Sequence, residues 1–244
     1  MSKTLQTYLV AVLLLCFSFV NAQTSSKSIA IEYAYANVAA DDPLGQMMFA
    51  SKRFMVYADE AFVSLKVYSV PDKPQTMDGI VTELVKNLAD GKTYTCFTIG
   101  DKKVKLESSA EEREGAIGRI FGNLVDTSFT FKPADTGGEA IAGQDCRRVD
   151  LVPSSEDMTG AVIFLSTAAD FNNDVAKALP VYVINSNISG LCLGNDQPFG
   201  ANTYKLRALK IDQENKVDYK TMLSEYKTVE KAEVNKIIKA YIGM

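Results

Sequence analysis

Serine, cysteine, lysine and carboxylates are all available for chemistry in this chain, but histidine is not. There are 0 His among 244 residues. That removes Ser–His–Asp triads, Cys–His dyads and imidazole metal sites together, because each needs a group that exchanges protons or binds metal near neutral pH. Ser224-Glu-Tyr-Lys227 matches the Ser-x-x-Lys spacing in which a lysine activates a serine nucleophile. The companion Ser-Asp-Asn and Lys-Thr-Gly motifs are missing, so this segment is read as a strand end leading into the last helix. Gly138 to Gly143 has the glycine spacing of a phosphate loop, but Gln144-Asp145 follows where Lys-Ser/Thr is required. Asp170, Asn172 and Asp174 imitate the first half of a calcium loop. Val175 and Val181 then stand where Gly and Glu are needed, so helix capping is the expected role. Thirty acidic residues leave a carboxylate-based hydrolase open, although nothing marks two of them as a pair, and the lack of Trp removes the commonest sugar-stacking platform. No catalytic, cofactor-binding or metal-binding residue is assigned, no cofactor is expected, and the chain is read as non-enzymatic.

The N-terminus reads as an address. Lys3 precedes an unbroken apolar run from Tyr8 to Val20, and Val20-Asn21-Ala22 places small residues at the cleavage positions. Residues 1–22 are therefore expected to be a cleaved signal peptide and 23–244 a single β-rich domain. The run is shorter than the roughly 20 residues that span a bilayer. Leu15 before Cys16 is too large for lipoprotein processing. Export places the protein in the periplasm or outside the cell, with no transmembrane segment in the mature chain. The whole chain carries a net charge of −4, and losing Lys3 with the leader makes it −5, which argues against nucleic acid and anionic membrane surfaces. Cys96, Cys146 and Cys192 remain after cleavage. Three cysteines in an oxidising compartment permit one bridge and one leftover thiol. Any of three pairings is open, with Cys146–Cys192 preferred because both lie on expected strands of the C-terminal half.

The elements that must position these residues are mostly strands. Ser28 to Val38 alternates, with Ile29, Ile31, Tyr33 and Tyr35 on one face. Lys52–Tyr57 and Ala61–Val70 follow, the second with Val63, Leu65 and Val67 on one side and Ser64, Lys66 and Tyr68 on the other. Pro71 to Pro74 reads as a loop. Residues 80–88 fit either a helical stripe or a strand; Asp90-Gly91 between apolar runs favours a hairpin into Lys92–Ile99. Val104–Glu107, Thr127–Phe131, Gln144–Val152, Ala161–Thr167, Leu191–Leu193 and Thr203–Ile211 read as further strands. Ser109 caps an expected helix to Phe121 with Ile117, Ile120, Phe121 and Leu124 on one face, and Asp170–Leu179 reads as a short helix. The C-terminal helix follows a Thr228 N-cap and should lay Val234, Ile237, Ile238 and Tyr241 on the sheet.

Several segments taken in order carry a resemblance. Gly91-Lys-Thr-Tyr-Thr95, Gly100-Asp-Lys-Lys103, Ala140-Ile-Ala-Gly-Gln-Asp-Cys-Arg-Arg-Val149 and Leu223-Ser-Glu-Tyr-Lys-Thr-Val229 resemble the GLPGLI-type and related uncharacterised exported proteins of Bacteroidetes. Gln144 departs from that family's usual Tyr, Leu223 from its Pro, and Gly190-Leu-Cys-Leu193 is the nearest trace of its naming run. The resemblance implies a LolA-like fold: a strongly curved antiparallel sheet or half-barrel with a few helices packed on it. It implies no site residues. The composition and strand count lead separately to a mainly β (α+β) class. Two functions follow as expectations: an exported module of the cell envelope that engages a protein partner, or a carrier holding a lipophilic ligand in an apolar cavity.

Overall fold

The computed structural model describes residues 28–69, 80–121, 128–156, 158–185, 187–199 and 202–243. The expected signal segment, the Pro71–Pro74 loop and Leu124 lie outside them. The chain begins with β1 (Ser28–Ala36), followed by a helical turn, Pro43–Gly45, that runs into a π-helical turn, Gln46–Ala50. Then come β2 (Lys52–Asp59), β3 (Phe62–Ser69), β4 (Ile80–Asn87), β5 (Thr93–Ile99) and β6 (Lys102–Ser108), each paired antiparallel with the one before. Helix α1 (Ala110–Phe121) leads to β7 (Phe129–Pro133), β8 (Glu139–Ile141), β9 (Gln144–Pro153) and β10 (Ala161–Ser166). A 3₁₀ turn (Ala169–Phe171) and α2 (Asp174–Lys177) precede β11 (Tyr182–Asn185), β12 (Ile188–Phe199) and β13 (Asn202–Asp212). The chain finishes with α3 (Tyr219–Glu225), β14 (Lys227–Thr228) and α4 (Lys231–Ile242).

All fourteen described strands join one curved, unclosed sheet. Its order is β14-β6-β5-β4-β3-β2-β1-β13-β12-β10-β9-β7, with β11 on β12 and β8 on β9. The long crossing from β1 to β13 brings both chain halves together in the middle. Pairing is antiparallel except at one edge, where β14 runs parallel to β6. The expected hairpin at Asp90-Gly91 forms, with Gly91 at φ 72°, where a side chain would be strained.

Alternation builds the larger core on what we call the inner face. Ile29, Ile31, Tyr33 and Tyr35 of β1 point there, beside Val56, Leu65, Leu165, Leu191 and Leu206. Ser109 starts α1 with a capping box: its hydroxyl accepts from the Glu112 amide, and the Glu112 carboxylate accepts from the Ser109 amide, both at 3.1 Å. Ile117 and Phe121 then pack into this core, and Phe121 meets Tyr33 edge-on at 5.4 Å.

The outer face holds a second, smaller cluster of Ala30, Tyr57, Val85, Cys96 and Tyr219. It is covered by the last segment of the chain, which crosses the sheet as α3 and caps the β6 edge as β14. This cover explains why Ser64, on the face expected to be polar, is buried: α3 lies over it.

Four expectations need correction. Thr228 lies in β14 and the N-cap of α4 is Glu230. Of the expected α4 face, Val234 is buried and Tyr241 is 44% exposed. The single helix over Asp170–Leu179 is broken into a 3₁₀ turn and α2, and the cap is Asn173, whose Oδ1 accepts from Ala176 N at 2.8 Å. The expected disulfide is absent: Cys96, Cys146 and Cys192 are free, buried thiols. Strands β9 and β12 both flank β10, so Cys146 and Cys192 stand two strand spacings apart, roughly 9–10 Å, beyond the Cα separation a disulfide bridges.

Candidate functional site

The motifs weighed in the sequence do not converge. Ser224 lies in the last turn of α3 rather than at the expected strand end and donates to the Thr221 carbonyl at 2.6 Å, while Lys227 sits in β14, exposed. Gly138 to Gly143 forms β8 and a tight turn in which Ala142 and Gly143 take φ of 49° and 78°, the two-residue hairpin geometry that matches strand twist. Among the described residues, no group of three His, Cys, Asp or Glu is placed to hold a metal ion.

Among the described residues, three clefts can be followed at the surface. One, of about 420 Å³, is walled by Ser28, Tyr57, Asp59 and Asp218. A second, of about 370 Å³, lies between α1 and Pro180 and is lined by Arg113, Glu114 and Ile117. Burial lowers the Arg113 pKa there, because a guanidinium out of water loses hydration. A third, of about 290 Å³, gathers Asp90, Glu107 and Glu114, with Lys86, Lys92 and Arg113 in the same wall. Lys92 stands 4.0 Å from Glu107.

The thiols are not nucleophiles in waiting. Burial pushes Cys96 and Cys192 up to about 12 and Cys146 to about 11. At neutral pH all three are protonated, and the thiol is the unreactive form. Each is a small core residue.

The arrangement with the clearest binding chemistry lies at the β12–β13 hairpin end of the inner face. Register places Tyr35 beside Leu206 and Gln197 beside Tyr204, with Asn195 opposite Leu206. Residues directly opposite share a face, so these side chains form two adjoining rows. The turns at 43–50 lie over them. Phe49 packs with tilted rings, centroids 4.5 Å apart, against both Tyr35 and Tyr204, and Tyr35 meets Phe54 at 5.7 Å. Phe199, 53% exposed, contacts the rim at 6.3 Å from Tyr204. An aromatic path thus runs from solvent at Phe199 to the core at Tyr35.

Asp42 latches the covering turns in place. Its carboxylate accepts from the Gly45 amide at 2.9 Å, the Tyr204 hydroxyl at 2.6 Å and the Asn202 amide at 3.2 Å. The Tyr204 hydrogen bond first, then the Gly45 amide, holds Asp42 below the ordinary carboxylate pKa; the same bond raises Tyr204. Gly45 must be glycine, since a Cβ there would stand 2.3 Å from Asp42 Oδ2 and 2.9 Å from the Tyr204 ring.

None of Asp42, Phe49, Tyr204, Phe199, Asn195 or Gln197 is singled out by motif spacing. A register shift between Cys192 and Gly194 interrupts the alternation of β12, so no simple period marks Asn195 and Gln197 as inward.

No family model and no curated protein matches the chain. Among solved structures it is similar to PNGF-II, with a TM-score of 0.44 and 11% identity over 88% of this chain and 34% of that one. It is similar to MucB, with a TM-score of 0.42 and 11% identity over 80% of this chain and 56% of that one. A Vibrio parahaemolyticus domain described by outer membrane lipoprotein sorting gives 0.34 and 12%, over 81% and 89%. This chain therefore spans about a third of PNGF-II and just over half of MucB. At these values the likeness is one of coarse layout, and the functional reading rests on this chain's own residues.

Proposed function

We propose that the chain is an exported, non-enzymatic binding module of the cell envelope that engages a protein partner at the aromatic rim of the β12–β13 end. The observation that carries this reading is the aromatic path itself. Phe199 stands half in solvent at the end of the paired strands β12 and β13 and is backed by Tyr204, Phe49 and Tyr35. Aromatic anchors fixed on strands give large contact area at small entropy cost, which is what the centre of a protein interface uses. The leader read at residues 1–22 supports export.

A carrier of lipophilic ligands is the second reading, supported by the cleft of about 370 Å³ in which Ile117 and Pro180 lie beside the half-desolvated Arg113. That combination suits an amphiphile with an anionic head.

Site-specific photo-crosslinking in the producing cell separates the two. A benzophenone side chain replacing Phe199 should give one discrete protein adduct. The same probe at Ile184, 73% exposed on β11, should not. Lipid-sized adducts alone would favour the carrier, and equal labelling from both positions would defeat the rim reading.

A further inference from the structure

Behind the aromatic rim, the inner face carries polar groups that nothing described satisfies. Asn195 is 1% exposed; its Nδ2 donates to the Phe121 carbonyl at the end of α1, at 3.4 Å, while its Oδ1 is buried with no hydrogen-bond partner among the described residues. Two positions along β12 on the same face, Gln197 Nε2 is likewise buried and without a partner among them. The pair is complementary: one acceptor and one donor, side by side, on a face otherwise built of Tyr35, Leu206 and Ile163. Leaving such groups dry costs more than an apolar side chain of the same shape would, so a strand has little reason to place both there unless something meets them.

We propose that Asn195 and Gln197 receive the main-chain amide of an extended, uncharged peptide segment that enters past Phe199 beneath the turns at 43–50. The orphan chemistry selects the ligand class. Asn195 Oδ1 needs a donor and Gln197 Nε2 an acceptor, and a peptide group offers an N–H and a C=O together. An ester lipid offers acceptors only and would leave Asn195 unmet. The cover over the site is suited to yielding: its second half is a π-helical turn, the form that recurs at functional positions, and Asp42 holds it by polar contacts at the rim. Ser51, which ends that turn, has the third such buried orphan atom, its hydroxyl.

This deepens the rim reading and rests on it, so the test separates them. Calorimetric titration of the exported chain would use acetyl-Leu-Ala-Leu-amide, the same peptide N-methylated along its backbone, and methyl laurate. The expected result is binding of the first peptide and at least tenfold weaker binding of the N-methylated one. Asn195→Leu and Gln197→Met should each weaken the first peptide at least tenfold while leaving the melting temperature unchanged or higher, since no satisfied bond is lost at Gln197 Nε2 and only a long one at Asn195. Phe199→Ser should weaken both peptides by the same factor. Equal binding of the two peptides, or full binding by both amide variants, overturns the assignment and implies that buried water meets the pair. If Phe199→Ser alone then weakens the peptide, the rim reading survives without it. Methyl laurate binding in place of either peptide overturns both.

Discussion

Tyr219 on α3 donates its hydroxyl proton to Glu83 on β4 at 2.7 Å, and both groups are buried. Ser64 on β3 reaches the same hydroxyl at 2.6 Å, so one phenol fastens the C-terminal segment to the sheet's outer face. Burial raises the Tyr219 pKa far above its ordinary value, with Glu83 adding to the effect. Tyr219→Phe should destabilise the protein by about 1–3 kcal/mol, because it strands Glu83 and Ser64 without their partner. Glu83→Gln should cost less, since the amide oxygen still accepts from Tyr219. Urea denaturation of both variants checks the order; a Glu83→Gln loss larger than that of Tyr219→Phe would contradict it.

The three thiols predict how stability responds to alkali. Their folded pKa values, about 11 to 12, lie above the unfolded value near 8.5, so each favours the folded state while protonated. That contribution is complete below roughly pH 8.5 and is lost as pH rises toward the folded values. Each thiol should contribute up to about 1.4 kcal/mol per pH unit to the decline. Cys192→Ala will be less stable at neutral pH through its cavity, but its stability should fall less steeply than the wild type's between pH 8.5 and 10. Parallel slopes would show that burial does not hold the Cys192 thiol above its unfolded value. A thiol reagent should label all three cysteines in denaturant and none in the native protein at pH 7.

Most strands were legible because their alternation is a local property. Ile29 to Tyr35, Val63 to Val67 and Tyr94 to Thr98 each announce a pleat with one apolar side, and Asp90-Gly91 announces the hairpin between two of them. The candidate site was not legible, and β12 shows why. Its second half, Gly194-Asn-Asp-Gln-Pro198, has the composition of a loop, so the apolar strand signal ends at Leu193. Pairing with β13 through Phe199 overrides that composition, because Arg207 of β13 pairs with Asp196 at 2.5 Å and lies over the Phe164 ring. The latch at Asp42 joins residues 162 apart, a separation no local pattern records. The outer cover is hidden for a related reason: Tyr219 sits in a short polar helix 136 residues from its partner Glu83.

Two glycines of β12 should respond differently to the same substitution. A Cβ on Gly190 would lie 2.6 Å from the Ser166 carbonyl oxygen, a backbone atom fixed in β10. A Cβ on Gly194 would meet Ile141 Cδ1 at 2.8 Å, Phe164 at 3.1 Å and Arg207 at 3.2 Å, which are side-chain atoms able to turn aside. Gly194→Ala should cost about 1–2 kcal/mol and Gly190→Ala about 3 kcal/mol or more, the upper end for overpacking. Urea midpoints of the two variants measure the difference, and the reverse order would mean that the β10–β12 spacing relaxes more readily than the β8–β9 hairpin.

Asp42 supplies the prediction that bears most directly on the rim. Three donors converge on its carboxylate, and the depressed pKa means that the folded state favours the ionised form. A group of this sign stabilises above its unfolded pKa, near 3.9, and its contribution is lost as pH falls through the lower folded value. Asp42→Asn replaces one acceptor oxygen by a donor, so it cannot receive Gly45, Tyr204 and Asn202 together. The variant should therefore melt a few degrees below the wild type at pH 7. The gap should shrink as the wild-type carboxylate is protonated below about pH 4. Tyr204→Phe should reproduce part of the loss at pH 7 and raise the Asp42 pKa, measurable by carboxyl chemical shift during a pH titration. A melting gap that stays constant down to pH 3 would show that the latch does not depend on the Asp42 charge. The turns at 43–50 would then be held by Phe49 packing alone, and opening of the rim would be insensitive to acid.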